Sequence, residues 1–106
     1  MIEITDKEFR EKVLKKSLKI PVVVDFYANW CGPCKIISPL LERLEKEYKN
    51  GFVLVRINID ENEETTKTYE IKSIPSVKMI KEGKVVAEFA GALGEEVVRE
   101  WLDRNL

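Results

Sequence analysis

The chain has 106 residues, 44% of them hydrophobic and 35% charged, and its 18 basic and 19 acidic side chains leave a formal net charge of −1. That length predicts one domain built on one hydrophobic core. The balance of charge argues against a nucleic-acid or anionic-membrane partner, no apolar run approaches the roughly 18 residues of a membrane span, and the lack of any histidine removes that side chain as a metal ligand or general base.

The opening Met-Ile-Glu-Ile-Thr-Asp has no basic end followed by an apolar stretch. No signal peptide is therefore expected, and the expected compartment is the cytoplasm, where ordinary thiols are kept reduced. Glutamine is absent while lysine and glutamate are abundant. Heat-adapted proteins show this bias, and a short chain also reaches it by sampling.

Thr5 followed by Glu8 reads as a capping box, and Phe9, Val13, Leu14 and Leu18 mark one face of a first helix. Pro21 ends that region. Val22 to Tyr27 is too apolar and β-branched for a half-exposed strand and predicts a central strand covered on both faces. From Ile36 the period changes, and Ile36, Ile37, Leu40, Leu41, Leu44 and Tyr48 fall on one helical stripe. Asn50-Gly51 supplies the stop, and Pro39 inside the helix predicts a kink. Phe52 to Ile59 is a second strand, and the polar stretch from Glu61 to Tyr69 a helix. Val77 to Lys81 and Val85 to Ala90 form a tight antiparallel hairpin across Glu82-Gly83. On a last helix after Gly94, Val97, Val98, Trp101 and Leu102 are expected to face inward. The element order is strand, helix, strand, helix, strand, helix, then a hairpin and a closing helix. Helical crossovers imply parallel neighbours, so the fold class is α/β, a mixed sheet sandwiched by helices.

Both cysteines, Cys31 and Cys34, lie where the buried strand gives way to a helix. A structural zinc site needs four ligands. One cysteine pair without histidine supplies two, so a complete zinc site would need carboxylates or a second chain, and a two-chain iron–sulfur cluster is disfavoured in the same way. A static disulfide would close a tiny loop and stabilise little. Redox exchange fits the position. Free N–H groups and the positive end of the helix dipole favour an anion at Cys31, and the thiolate is the species that attacks disulfides. Cys31 is therefore expected to have a lowered pKa and some exposure, with Cys34 more buried. Cys31 attacks a partner disulfide, and Cys34 then attacks Cys31 and releases the reduced partner. Gly32 keeps the approach open, and Pro33 suits the first helical turn. A lone Cys-x-x-Cys after a strand in a βαβ pattern is a recognised redox signature.

Asp25 interrupts the apolar strand, and two readings stand. It lies on an edge or bulge in water, or it is a desolvated acid with a raised pKa. The second would supply the base that Cys34 needs. Arg56 on the next strand is either its counter-charge or a solvated strand residue.

Asp25, Trp30-Cys31-Gly32-Pro33-Cys34, Pro39, Ser73-Ile74-Pro75-Ser76, Lys81-Glu82-Gly83 and Ala90-Gly91-Ala92, in this order and spacing, resemble the thioredoxin family over essentially the whole chain. The resemblance implies a single domain over residues 1–106, with parallel strands, an antiparallel C-terminal hairpin and about four flanking helices. It implies Cys31 as nucleophile, Cys34 as resolving cysteine, Asp25 as buried acid, and a cis bond at Pro75. Trp30, Gly32, Pro33, Ile74, Pro75, Gly91 and Ala92 would form the surface that docks an extended client segment. It implies no bound cofactor, electrons from NADPH through thioredoxin reductase, disulfide-containing client proteins and a monomer. Asn29, Ser73, Ser76, Arg56 and the strand Val77-Lys78-Met79-Ile80 depart from the common pattern. Two rivals share the same residues: a disulfide-donating oxidase or isomerase, against which Gly-Pro between the cysteines argues, and a non-catalytic assembly subunit whose function would survive loss of both cysteines.

Overall fold

Sequence periodicity and local capping account for most of the elements seen in a computed structural model, which describes residues 1–106. In chain order these are β1 (Ile2–Glu3), a helical segment from Asp6 to Leu18, β2 (Val22–Tyr27), α1 (Cys34–Glu47), β3 (Val53–Asn58), α2 (Glu63–Thr68), β4 (Ser76–Lys81), β5 (Lys84–Ala90) and α3 (Glu95–Asn105). The predicted order of strands and helices is the observed one.

The five strands form one sheet in the order β1-β3-β2-β4-β5. β1 and β2 both run parallel to β3, and β4 pairs antiparallel with β2 and with β5. β2 is thus the middle strand, hydrogen-bonded along both edges, and all six of its residues are buried. On one face Val23, Leu54, Val77 and Met79 pack with Ile37, Leu41 and Leu44 of α1 and with Val98, Trp101 and Leu102 of α3. On the other, Val22, Val24, Phe26, Val55, Ile57 and Ile80 pack with Phe9 and Val13 of the first helical segment. Each such side chain, fully buried, stabilises the fold by about 1.5–3 kcal/mol.

Local chemistry departs from expectation at four places. The first helical segment is irregular: a 3-10 turn at Asp6–Glu8, a π-helical stretch at Arg10–Lys15 and a second 3-10 turn at Lys16–Leu18. Its start is as expected, with the Thr5 N–H donating to Glu8 Oε1 at 3.0 Å. The change of winding rotates Leu18 off the apolar face, and it is exposed. Ile36 and Val97 are also exposed, against expectation, because the stripes of α1 and α3 are narrower than the runs of apolar residues that carry them. The stop of α1 is made by Lys49 and Asn50 at φ 34° and 63° rather than by Gly51. α1 itself runs unbroken through Pro39, so the missing N–H deprives only the Lys35 carbonyl of its helical partner.

The hairpin turn has Glu82 at φ 51° and Gly83 at φ 78°, both in the left-handed region that a two-residue hairpin of this hand demands. It is fastened from below. Glu82 N–H donates to the Ser17 carbonyl and Gly83 N–H to Ser17 Oγ, each at 2.9 Å.

Candidate active site

The cysteine segment leaves the carboxyl end of β2. Cys31 N–H donates to the Ala28 carbonyl at 3.2 Å, and Lys35 and Ile36 N–H donate to Gly32 and Pro33 at 3.0 and 3.1 Å. The helical turn therefore begins around Gly32, although regular α-helix starts at Cys34. Pro33 caps it at φ −58°, already helical. Cys31 and Cys34 are joined in a disulfide with their Cα atoms 5.3 Å apart, within the range a disulfide needs. Cys34 N–H donates to Cys31 Sγ at 3.2 Å. That N–H, at the positive end of α1, favours negative charge on the Cys31 sulfur.

The expectation of an open Cys31 over a buried Cys34 needs correction. In the disulfide state Cys31 is 4% exposed and Cys34 2%. The two pack with Tyr27 and Ala28, and Ile59 and Ile74 lie against that cluster. What faces solvent instead is Trp30, Gly32 and Pro33. Trp30 is 69% exposed, and its Nε1 donates to Asp60 Oδ2 at 2.9 Å.

The loop before β4 comes to the same place. The Ile74–Pro75 peptide bond is cis. The Pro75 carbonyl accepts the Gly91 N–H at 2.9 Å, which ties the 91–92 turn to the proline loop. Gly91 has φ +89° with nothing within 4 Å of where a Cβ would stand. Conformation rather than crowding makes glycine the fit. Ala92 is exposed.

Asp25 is completely buried and pairs in register with both neighbours of β2, so the edge and bulge readings fall away. One transverse row crosses the sheet: Glu3, Arg56, Asp25, Val77, Phe89. From α1, the Ser38 hydroxyl donates to Asp25 Oδ2, while Oδ1 is buried without a partner. Burial raises the Asp25 carboxyl to about 6; the Ser38 hydrogen bond and the Arg56 charge hold it down, and Glu3 pushes it up. Arg56 acts at a distance. Its guanidinium lies over the Tyr27 ring, 3.6 Å from the centroid, and its Nε is 3.6 Å from Glu3 Oε1. The Tyr27 hydroxyl donates to Glu3 Oε1 at 2.8 Å.

A cleft of about 350 Å3 opens between β2 and α1, with Tyr27, Cys34, Lys35, Ser38, Pro39 and Arg56 among its walls. A larger hollow of about 590 Å3, between Leu18–Pro21 and the β4–β5 turn, contains none of the site residues. No group of three or more Cys, Asp or Glu side chains is placed to hold a metal ion, and no helix is long and apolar enough to cross a membrane.

Sequence reading missed Ser38, Tyr27, Glu3 and Asp60. Ser38 had one pointer, its position one helical turn after Cys34. The others meet the site only through strand register or a loop.

A disulfide-forming Cys-Gly-Pro-Cys at the head of a helix, delivered by the middle strand of a mixed sheet, defines a thiol–disulfide oxidoreductase that reduces disulfides by dithiol exchange. The family model described as Thioredoxin matches residues 1–104, and the chain belongs to the thioredoxin family, whose members are protein-disulfide reductases. It is similar to the thioredoxin of Buchnera aphidicola subsp. Acyrthosiphon pisum, 42% identical over 106 residues that span all of this chain and 96% of that protein. The thioredoxin of Acidithiobacillus ferridurans matches at 42% over the same shares of both chains. That of Pseudomonas aeruginosa is 38% identical, again over all of this chain and 96% of its own length.

Proposed function

We propose that the exchange runs through Cys31 as nucleophile and Cys34 as resolving cysteine, with Asp25 as the base that receives the Cys34 proton. The Cys31 thiolate attacks one sulfur of a client disulfide, the other client sulfur leaves as a thiolate, and a mixed disulfide forms. Cys34 gives its proton to Asp25 and attacks Cys31 Sγ. The Cys31–Cys34 disulfide forms, the client leaves fully reduced, and the two electrons have passed to it. The observation that carries this order is the hydrogen bond from Cys34 N–H to Cys31 Sγ, which favours the charged form of the first sulfur and not of the second.

Trp30, Gly32, Pro33, Ile74, Pro75, Gly91 and Ala92 form the docking surface in this reading. The exposure of Trp30, Gly32, Pro33 and Ala92 around the disulfide supports it, as does the Pro75–Gly91 hydrogen bond that holds two of the loops together. Residues 1–106 act as one monomeric domain in the cytoplasm, carrying electrons from NADPH, by way of thioredoxin reductase, to disulfide-containing client proteins. The chain itself binds no cofactor.

Cys31→Ser is expected to abolish reduction of a protein disulfide such as that of insulin. Cys34→Ser is expected to accumulate a covalent mixed disulfide with the client, visible by mass and cleaved by added dithiol. Activity in the first variant, or trapping through Cys34 in place of Cys31, would reverse the assignment.

A further inference from the structure

Asp25 is sealed. It has no exposed surface and is not among the residues that line the cleft between β2 and α1. Cys34 lines that cleft, and so does Ser38. Ser38 is also the one side chain that hydrogen-bonds the Asp25 carboxyl. It therefore stands with one side on the carboxyl and the other on the space that Cys34 shares. A hydroxyl can donate one hydrogen bond and accept two, so Ser38 Oγ can give its hydrogen to Asp25 while accepting another from the cleft. The backbone beside it also borders the cleft. Pro39 has no N–H to offer the Lys35 carbonyl, and both residues line the cleft.

We propose that Ser38 is a positioning residue for the exchange reaction: its hydroxyl connects the sealed Asp25 carboxyl to the cleft, and the proton leaving Cys34 reaches Asp25 through it. This rests on the reading of Asp25 as the acceptor of that proton. The step balances with solvent water as the only other participant. The Cys34 thiol gives its proton to a water molecule of the cleft, that water gives a proton to Ser38 Oγ, and Ser38 passes its own to Asp25 Oδ2, so the result is a Cys34 thiolate, an unchanged water and serine, and a protonated Asp25. The groups that bear on Asp25 are accounted for on each packed element. Ser38 comes from α1, Arg56 from β3 and Glu3 from β1 beyond it, while β4 presents the uncharged Val77.

The test is the resolving step itself, followed by stopped flow. Reduced protein is mixed with dithiobis-nitrobenzoate. Cys31 attack releases a first thionitrobenzoate and Cys34 attack releases the second, and the second rate is recorded against pH for the wild type, Ser38→Ala, Ser38→Thr and Asp25→Asn. Ser38→Ala removes a hydrogen bond to a charged acceptor, so the midpoint is expected to rise by about one to two pH units, with the rate at pH 7 falling about two- to tenfold as the ionised fraction of Asp25 drops. Loss of the connection adds a second effect: the plateau at high pH stays below that of the wild type. Ser38→Thr keeps a hydroxyl and is expected to restore both. A raised midpoint with a full plateau would overturn the relay and leave Ser38 as a tuner of Asp25 alone. A wild-type profile for Ser38→Ala beside a slowed Asp25→Asn would overturn the proposal while leaving Asp25 as the base. Wild-type profiles for both variants would overturn the Asp25 reading and the proposal with it.

Discussion

Asp25 and Arg56 stand opposite one another in the parallel register of β2 and β3, yet no hydrogen bond joins them, and Asp25 Oδ1 and Arg56 Nε are both buried without a partner. An ion pair with good geometry would pull the carboxyl down. Here Arg56 is engaged by Tyr27 and Glu3, desolvation dominates, and the carboxyl rises to about 6. The site thereby holds a carboxyl group that changes charge close to neutral pH in a chain without histidine.

That value makes stability depend on pH in a particular direction. Asp25 titrates near 3.8 in an ordinary setting and near 6 in the fold, so the folded state holds the proton more tightly than the unfolded one. The stability this gives is fully present below about pH 4 and is lost as pH rises through about 6. At pH 8 the ionised buried carboxylate costs about 3 kcal/mol. Asp25→Asn is therefore expected to be more stable than the wild type by about that amount at pH 8, with the advantage gone at pH 4. Denaturant midpoints at both values, with the disulfide intact, check this. A difference independent of pH would refute the raised carboxyl.

Arg56 has two separable effects. Arg56→Gln removes the charge that holds the Asp25 carboxyl down, and the carboxyl is expected to move further above 6. Arg56→Lys keeps the charge but loses the flat contact with the Tyr27 ring, so the carboxyl is expected to move little while stability falls by about 0.5–1 kcal/mol. A carbon-13 NMR titration of the Asp25 carboxyl in the disulfide form distinguishes them. An unmoved carboxyl in Arg56→Gln would show that the charge does not reach it.

Ile36 and Ile37 test the narrow stripe of α1. Ile36 is 65% exposed and Ile37 fully buried. Ile36→Ala is expected to change stability by less than about 0.5 kcal/mol, and Ile37→Ala to lower it by about 2–5 kcal/mol. The two denaturant midpoints, compared at equal slope, decide it. Similar losses at both positions would mean that the whole apolar run of α1 is packed.

Much of this was legible because its causes are local. The apolar run from Val22 to Tyr27, the turn residues Glu82-Gly83 and the cysteine spacing each carry a signal within a few residues. Asp25 was ambiguous for a different reason. Whether a carboxyl in an apolar strand is solvated depends on what lies on both edges of that strand, and the flanking of β2 by β3 and β4 is a property of topology. The link from Ser38 to Asp25 was hidden for the same reason, the place of Ser38 one turn after Cys34 being the only pointer. Its partner is 13 residues away, and a serine between Ile37 and Pro39 reads as a neutral helix residue. The irregular winding from Asp6 to Leu18 also escaped, because hydrophobic spacing reports which face is buried more readily than how tightly the backbone is coiled.

β2 is laddered on both edges, and that placement has a mechanical consequence. In the proposed exchange the client is covalently grafted to Cys31, four residues beyond the end of β2, and a tug from the client passes into that strand. To pull β2 lengthwise, both ladders must shear together, and central strands open only near the free energy of global unfolding. The cysteine pair is thus carried by a strand that resists extension along both of its edges.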